Sequence, residues 1–298
     1  MRNNKNRKQE DKSFSTKVDY AGELMKFLLA RLPRKNRDNI KSLLKYKQVR
    51  VDGKIITQFN YPLAPGQQVT VSEKEAVRER SYSGFSIVYE DPYLIVIDKH
   101  AGVLSVASSG EKHHTAYRML SDYVKTQDAE NKIFIVHRLD RDTSGLMMFA
   151  RSEEMQARLQ GQWKDSKPLR LYLAVVEGRV EKEVGVIQSY IRENKSFTGY
   201  SEYEEGEGQL AVTHFRKLKS NDRYSLLEIR LETGRKNQIR IHMKDMGHCI
   251  LGDKKYGASG NPIARLGLHA FKLSFALPVS GESLQFEIPA PRKFSRVI

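Results

Sequence analysis

The chain holds one cysteine, Cys249, among 298 residues. A disulfide framework needs pairs and a multi-cysteine zinc site needs more thiolates, so both are excluded. His242 and His248 stand near Cys249, but at a spacing that fits no standard metal site. No apolar run approaches the roughly 18 residues of a membrane span. The opening MRNNKNRKQEDKS has no apolar core, so no secretory signal is expected. A Gly-x-x-x-x-Gly-Lys-(Ser/Thr) phosphate loop is missing. The stretch from Gly206 to Ala211 matches Gly-x-Gly-x-x-Ala in letters only. It follows acidic residues and leads into a strand-like run, where a dinucleotide fingerprint follows a strand and opens a helix. Apolar residues make up 39%, which fits a soluble globular chain on the polar side. A cytoplasmic protein without membrane partner, metal or nucleotide cofactor is the expectation.

Positive charge is what the sequence has in excess. Lys plus Arg number 51 against 36 Asp plus Glu, a net of +15. Such an excess points to a polyanionic partner, nucleic acid or an anionic surface. Its placement is uneven. Residues 1–80 carry 19 basic and 9 acidic side chains, so +10 of the total lies in about a quarter of the chain. A small basic module ahead of a larger, nearly balanced domain is predicted.

Periodicity supplies the elements. Leu24, Leu28 and Leu32 recur at helical spacing until Pro33 stops them. A second helix over 37–45 turns Ile40, Leu43 and Leu44 inward. Asp52-Gly53 between short apolar runs predicts a hairpin, and Pro65-Gly66 another turn. Residues 76–84 read as a linker. Beyond it, Ile87 to Tyr89 and Leu94 to Ile97 read as strands. Ala116, Leu120, Tyr123 and Val124 form a helical stripe. Further strands are expected at 134–136, 146–150, 171–176 and 224–231, with helices through Met155, Leu159 and Trp163 and over 237–245. Strands outnumber helices without strict alternation. The fold class is therefore α+β: a mixed, largely antiparallel sheet with flanking helices, behind a small N-terminal α/β module.

The densest polar segment is His137-Arg138-Leu139-Asp140-Arg141-Asp142-Thr143-Ser144-Gly145, set between two apolar strand candidates. Charges held between core strands must be paired. The segment is either a connecting loop whose charges neutralise one another or a site that keeps a carboxylate ionised.

This segment resembles the His-Arg-Leu-Asp-x-x-Thr-Ser-Gly signature of RNA pseudouridine synthases acting on ribosomal and transfer RNA uridines. The surrounding blocks resemble the family too. They are DPYLIVIDKHAGVLSV from Asp91, LYLAVVEG from Leu171, AVTHF from Ala211, LETGRKNQIRIHMKDMGHCILGDKKYG from Leu231 and RLGLHA from Arg265. The likeness covers about residues 85–292. The chain departs from it at His100, where a proline is usual and the turn is expected to be less rigid, and at Lys236 and Asn237, departures that bear on RNA contacts more than on catalysis. LLKYKQVRVDGKIITQFNYPLAPGQQVTV resembles a small RNA-binding module named after a ribosomal small-subunit protein.

The resemblance implies an isomerase that breaks the bond from base nitrogen to ribose and reattaches the base through carbon, with no cofactor. It implies a catalytic Asp140, a basic partner Arg240 that lowers the Asp140 pKa, and an active-site Tyr172 stacked on the base. Arg138 and Arg235 are the implied RNA contacts in the large domain, with Lys41, Lys45, Lys47 and Arg50 in the small one. His137 is expected to orient the loop. The expected layout is a disordered basic tail over 1–13, an RNA-binding module over 14–75, a linker over 76–84 and a catalytic domain over 85–298. Ribosomal RNA of the large subunit is the expected substrate, with transfer RNA behind it, and the chain is expected to be a monomer. A non-catalytic RNA-binding factor on the same scaffold is the rival reading.

Overall fold

Asp52 and Gly53 both take positive φ, 48° and 78°. Those values make a tight two-residue hairpin turn that matches strand twist. Asp52 suits it because its carboxylate accepts the Gln68 N–H at 2.8 Å and the Gln67 side-chain amide at 2.9 Å. The turn belongs to a computed structural model that describes residues 13–33, 35–45, 48–72, 81–82, 84–108, 110–111, 113–165, 168–194 and 198–298. These form two compact units, divided between Arg80 and Ser81.

The first unit runs β1 (Ser13–Lys17), β2 (Gly22–Glu23), α1 (Leu24–Arg31), α2 (Arg37–Lys45), β3 (Val49–Val51), β4 (Lys54–Ile55), β5 (Pro62–Leu63) and β6 (Gln68–Ser72). Four strands pair in the order β1-β6-β3-β4, all antiparallel, and β2 pairs with β5. Leu24, Phe27 and Leu28 of α1 and Ile40, Leu43 and Leu44 of α2 bury against Val49, Val51, Val69 and Val71. The expected helices and hairpin are where the periodicity places them. The strand β1 is additional, and it corrects the end of the expected tail. Ser13 already pairs with Ser72, because Phe14 and Thr16 alternate inward along β6. Residues 1–12 and 73–80 lie outside the described residues.

The second unit continues with β7 (Ser81–Tyr82), β8 (Phe85–Glu90), β9 (Leu94–Lys99), α3 (Ala116–Gln127), β10 (Phe134–Ile135), β11 (Ser144–Ala150) and α4 (Glu153–Asp165). Then follow β12 (Leu169–Glu177), β13 (Val184–Glu193), β14 (Gly199–Glu202), β15 (Gln209–Ser220), β16 (Tyr224–Leu231), α5 (Gln238–Asp245), β17 (Leu268–Ala276) and β18 (Ser283–Glu287). One sheet orders them β14-β13-β15-β16-β12-β17-β11-β9-β8-β7, with β10 on β11 and β18 on β17. Every ladder is antiparallel except β11 with β17. The linker expected over 76–84 is corrected at its end: Ser81 and Tyr82 pair with Ser86 and Phe85. The strand β13 has no clear signal in the sequence because its Val184 and Val186 face solvent, against the usual alternation.

All seven residues of β11 are buried. Met147 and Phe149 pack with Leu120 and Val124 of α3, while Leu146, Met148 and Ala150 pack with Met155 and Leu159 of α4. Both faces are covered, so the strand reads as an unbroken apolar run. At its start Gly145 pairs with Ala270 of β17, and Ala270 pairs with Tyr172 of β12. This row brings the polar segment beside the tyrosine strand.

Gly145 has φ 119°, and a Cβ there would stand 2.2 Å from the Ala270 carbonyl oxygen. Neither strand backbone has room to yield. Gly145→Ala is expected to destabilise the protein by about 2 to 5 kcal/mol through strain plus overpacking. Chemical denaturation checks it, and an unchanged midpoint would contradict the geometry.

Candidate active site

The segment 136–143 is a loop between β10 and β11, fastened from three sides. Lys99, fully buried at the end of β9, donates from Nζ to the carbonyls of Val103 at 2.7 Å, Arg141 at 3.0 Å and His100 at 3.1 Å. Burial pulls its pKa down to about 8. Ser105 Oγ donates to the Leu139 carbonyl at 2.6 Å and accepts the Leu139 N–H at 3.1 Å. Arg265 donates to Ser144 Oγ at 2.6 Å, and that oxygen sits 2.7 Å from His269 Nδ1. The His100 departure leaves this turn formed: Gly102 takes φ 87° and donates its N–H to the Arg141 carbonyl at 2.9 Å.

His137 accepts the Met148 N–H at Nε2, 3.1 Å away, and stacks on Trp163 with centroids 5.1 Å apart. Burial drops its pKa to about 3, so the ring is neutral and its role is to hold the loop.

Asp140 lines a cavity of about 650 Å³ together with Tyr172, Arg240, Arg138 and Arg235. Five residues singled out in the sequence thus meet in one place. Tyr172 is buried on β12, and burial raises its phenol pKa. Arg138 and Arg235 are exposed at the rim. The Arg235 side chain donates to the Leu210 carbonyl at 2.9 Å. Lys236 turns away and pairs with Glu193 at 2.5 Å. Lys41 and Arg50 belong to the first unit, where both are exposed. Arg50 donates to the Gly53 carbonyl at 3.0 Å. Lys45 closes α2, and Lys47 lies outside the described residues.

Arg240 meets the expected partner Asp140 but is shared with a second carboxylate. It is buried on α5, and its close partner is Asp253. Nε and Nη2 each donate to that carboxylate at 2.7 Å in a bidentate fork. Its Nη1 donates to Asn237 Oδ1 at 2.9 Å and stands 3.8 Å from Asp140 Oδ2. Its Cζ also lies 5.0 Å from the Tyr256 ring centroid. The Asp253 side chain is fully buried, and only a paired charge tolerates that. Along the sequence Asp253 falls inside a family-like block, in Gly252-Asp253-x-x-Tyr256-Gly257, and is assigned no role of its own there. Asn237, a departure expected to affect RNA contacts, instead holds the arginine. It sits at φ 56°, a left-handed conformation that asparagine tolerates better than most residues.

With Arg240 largely satisfied elsewhere, Asp140 does not have the lowered pKa that the resemblance implies. Burial raises it above the ordinary 3.8, against the pull of Arg240, Arg138 and Lys99. Its side chain keeps 27% of its exposure, so dense protein surrounds it while the cavity stays accessible. The histidines and cysteine considered as ligands are engaged separately. His242 lies within hydrogen-bond reach of Ser189 and Thr213, His248 bonds the Glu177 carbonyl, and Cys249 donates to the Tyr256 carbonyl.

Residues 93–245 match the family model described as RNA pseudouridylate synthase. The Bacillus subtilis protein YhcT, named as an uncharacterized RNA pseudouridine synthase, is 31% identical over 85% of this chain and 84% of its own. A ribosomal large subunit pseudouridine synthase D from Nitrosomonas europaea is 32% identical over 87% of this chain and 78% of its own. Among solved structures, human RNA Pseudouridylate Synthase Domain Containing 4 aligns with a TM-score of 0.57. It is 23% identical, over 70% of this chain and 90% of that one, a likeness of fold. Fold and matched segment define an isomerase that acts on RNA. The chain belongs to the RNA pseudouridylate synthase family and is an RNA pseudouridine synthase.

The raised Asp140 pKa has a direct check. With the aspartates carbon-13 labelled, the Asp140 carboxyl is expected to titrate above pH 3.8. Arg138→Gln, which removes one opposing cation, is expected to move the midpoint higher. A midpoint below 3.8 contradicts burial as the ruling influence.

Proposed function

We propose that this synthase converts uridines of large-subunit ribosomal RNA to pseudouridine in the cytoplasm, as a monomer and without a cofactor, with Asp140 as the catalytic carboxylate. The observation that carries the reading is the cavity that gathers Asp140, Tyr172 and Arg240 with Arg138 and Arg235. Relatives named as ribosomal large subunit synthases C and D support the substrate.

A uridine stacked in folded RNA does not reach a carboxylate inside a cavity, so the nucleotide is flipped out of its helix. Arg138 and Arg235, exposed at the rim, hold the displaced strand by its phosphates. Asp140 acts at the ribose, as nucleophile on the anomeric carbon or as base on the neighbouring carbon; both routes start from the ionised form. The freed base turns and bonds to the same ribose carbon through C5. The C5 proton then leaves and a proton settles on the nitrogen that was released, so no atom is lost. Tyr172 stacks on the base and assists removal of the C5 proton. Arg240 aims Asp140 and is itself held by Asp253 and Asn237.

The first unit serves as an RNA-binding module over 14–75. Its two helices pack on a small sheet, with Lys41, Lys45, Lys47 and Arg50 among its cations. These side chains grip phosphate without reading sequence.

Asp140→Asn is expected to abolish pseudouridine formation, read by mass spectrometry of ribosomal RNA from a deletion strain carrying the variant. The raised Asp140 pKa means the folded protein binds that proton more tightly than the unfolded chain. The ionised group therefore opposes folding above pH 3.8, and this penalty is relieved as pH falls through the folded pKa. The neutral variant should thus melt no lower than wild type at pH 7. Full activity in Asp140→Asn would sink the assignment.

A second test addresses the module. Changing Lys41, Lys45, Lys47 and Arg50 together to Gln is expected to flatten the slope of log binding constant against log salt by ~0.7 for each phosphate no longer gripped. Product formation at saturating RNA should persist. An unchanged slope would assign the N-terminal charge to solubility.

A further inference from the structure

The active-site cavity contains a cation that the proposed chemistry leaves without a task. Arg170 lies two residues before Tyr172 on β12 and lines the same cavity. It is 9% exposed. Its guanidinium makes no hydrogen bond or ion pair with any described residue, and its buried Nε has no acceptor among them. Arg240 is clamped by Asp253, and the Arg235 guanidinium donates to a carbonyl. Among the described residues, Arg170 alone of the three is buried with no acceptor for its guanidinium.

Its neighbours orient it without neutralising it. The Trp163 ring lies 5.9 Å from its Cζ, and Trp163 stacks in turn on the neutral His137. Beside it Gly234 leaves space: a Cβ there would stand 2.8 Å from Arg170 Nη1. An aromatic plate and a glycine thus present a planar, permanently charged fork to the cavity. Burying such a charge unpaired is strongly unfavourable. A neutral uracil carbonyl would use its donors but leave the charge uncompensated. A phosphate satisfies both, and a guanidinium matches it bidentately.

We propose that Arg170 binds a phosphodiester of the RNA strand carrying the target uridine, inside the cavity and beside Tyr172. The proposal rests on the reading of this cavity as the RNA site. It explains why an arginine stands in the wall behind the base, and why the residue facing it at 234 lacks a side chain.

The test uses the full chain and an unmodified transcript of large-subunit ribosomal RNA. Binding is measured from about 50 to 200 mM salt for wild type, Arg170→Met, Arg170→Lys and Gly234→Ala. Arg170→Met is expected to lower the salt slope by ~0.7 to 0.9, the release of about one counterion, and Arg170→Lys to restore most of it. Gly234→Ala, which pushes the guanidinium aside, should follow Arg170→Met and serves in its place if that variant does not fold. An unchanged slope in folded protein overturns the proposal. So does weaker binding at unchanged slope, which would assign Arg170 to a neutral base edge, or wild-type binding that ignores salt. Failure of the functional reading is seen separately, as wild type that binds the transcript with the expected slope yet forms no pseudouridine in it.

Discussion

The cavity depends on one strand contact, the pairing of β11 with β17. It is the one parallel ladder among the described strands, formed by Ser144 with His269 and Gly145 with Ala270. Parallel strands need a long connection, and here most of the second unit lies between them. Closing so long a loop costs entropy, and the join is reinforced where it forms. Arg265 and His269 both bind Ser144 Oγ, and the Gly145 backbone lies against Ala270 closer than any side chain would allow. This contact sets the end of the polar loop beside the strand that carries Tyr172. Lys99 then ties the loop, through the Arg141 carbonyl, to the turn after β9, through the His100 and Val103 carbonyls. Carbonyls, unlike carboxylates, leave the lysine's charge uncancelled, which is why burial moves its pKa so far.

The electrostatics of the site follow from a division of labour among acids. Arg240 has two carboxylates within reach; the buried fork to Asp253 takes two of its five N–H donors and Asn237 a third. Asp140 receives the longer contact, at 3.8 Å. A full salt bridge would have stabilised the Asp140 charge and lowered its basicity and reactivity. A partial one keeps the carboxylate oriented and leaves its proton affinity raised by burial. Asn237 completes the hold on the arginine from its own left-handed turn at the start of α5. The arrangement holds a buried carboxylate at some expense to the fold, a common trade at functional sites.

What the sequence made legible follows the physics of each signal. Elements with one dry face were readable: α3 from Ala116, Leu120, Tyr123 and Val124, and β11 from its unbroken apolar run. Elements without such a face were not. The strand β13 exposes two valines, and β18 lies on Leu273 and Phe275 through only two half-buried side chains. The site was legible through three blocks, each contiguous in itself, so Asp140, Tyr172 and Arg240 could be named and do line one cavity. Its supports were not, because they are spatial. The pairing of Arg240 with Asp253, the grip of Asn237 and the stacking of His137 on Trp163 link residues that carry no shared pattern along the chain. The one electrostatic expectation that failed, a lowered Asp140 pKa, failed because burial, which no motif reveals, outweighs the pull of Arg240, Arg138 and Lys99.

The same reasoning refines the meaning of a net charge of +15. A sum counts every arginine alike, yet the arginines of this cavity differ by their partners. Arg240 is neutralised within the protein by Asp253, and as part of a pair it adds little to the field that RNA feels. Arg170 is buried but unneutralised among the described residues, so its charge acts at full strength over a short range, in a medium that screens poorly. The rim arginines, and Lys41 and Arg50 of the first unit, are exposed, and salt screens them within about a Debye length. Long-range attraction to a polyanion is a property that exposed charges can supply, and a short-range contact is one that a buried, unpaired charge can supply. A nearly balanced catalytic unit is consistent with strong local recognition, because recognition depends on which charges remain unpaired where the strand lies, not on how many the chain contains.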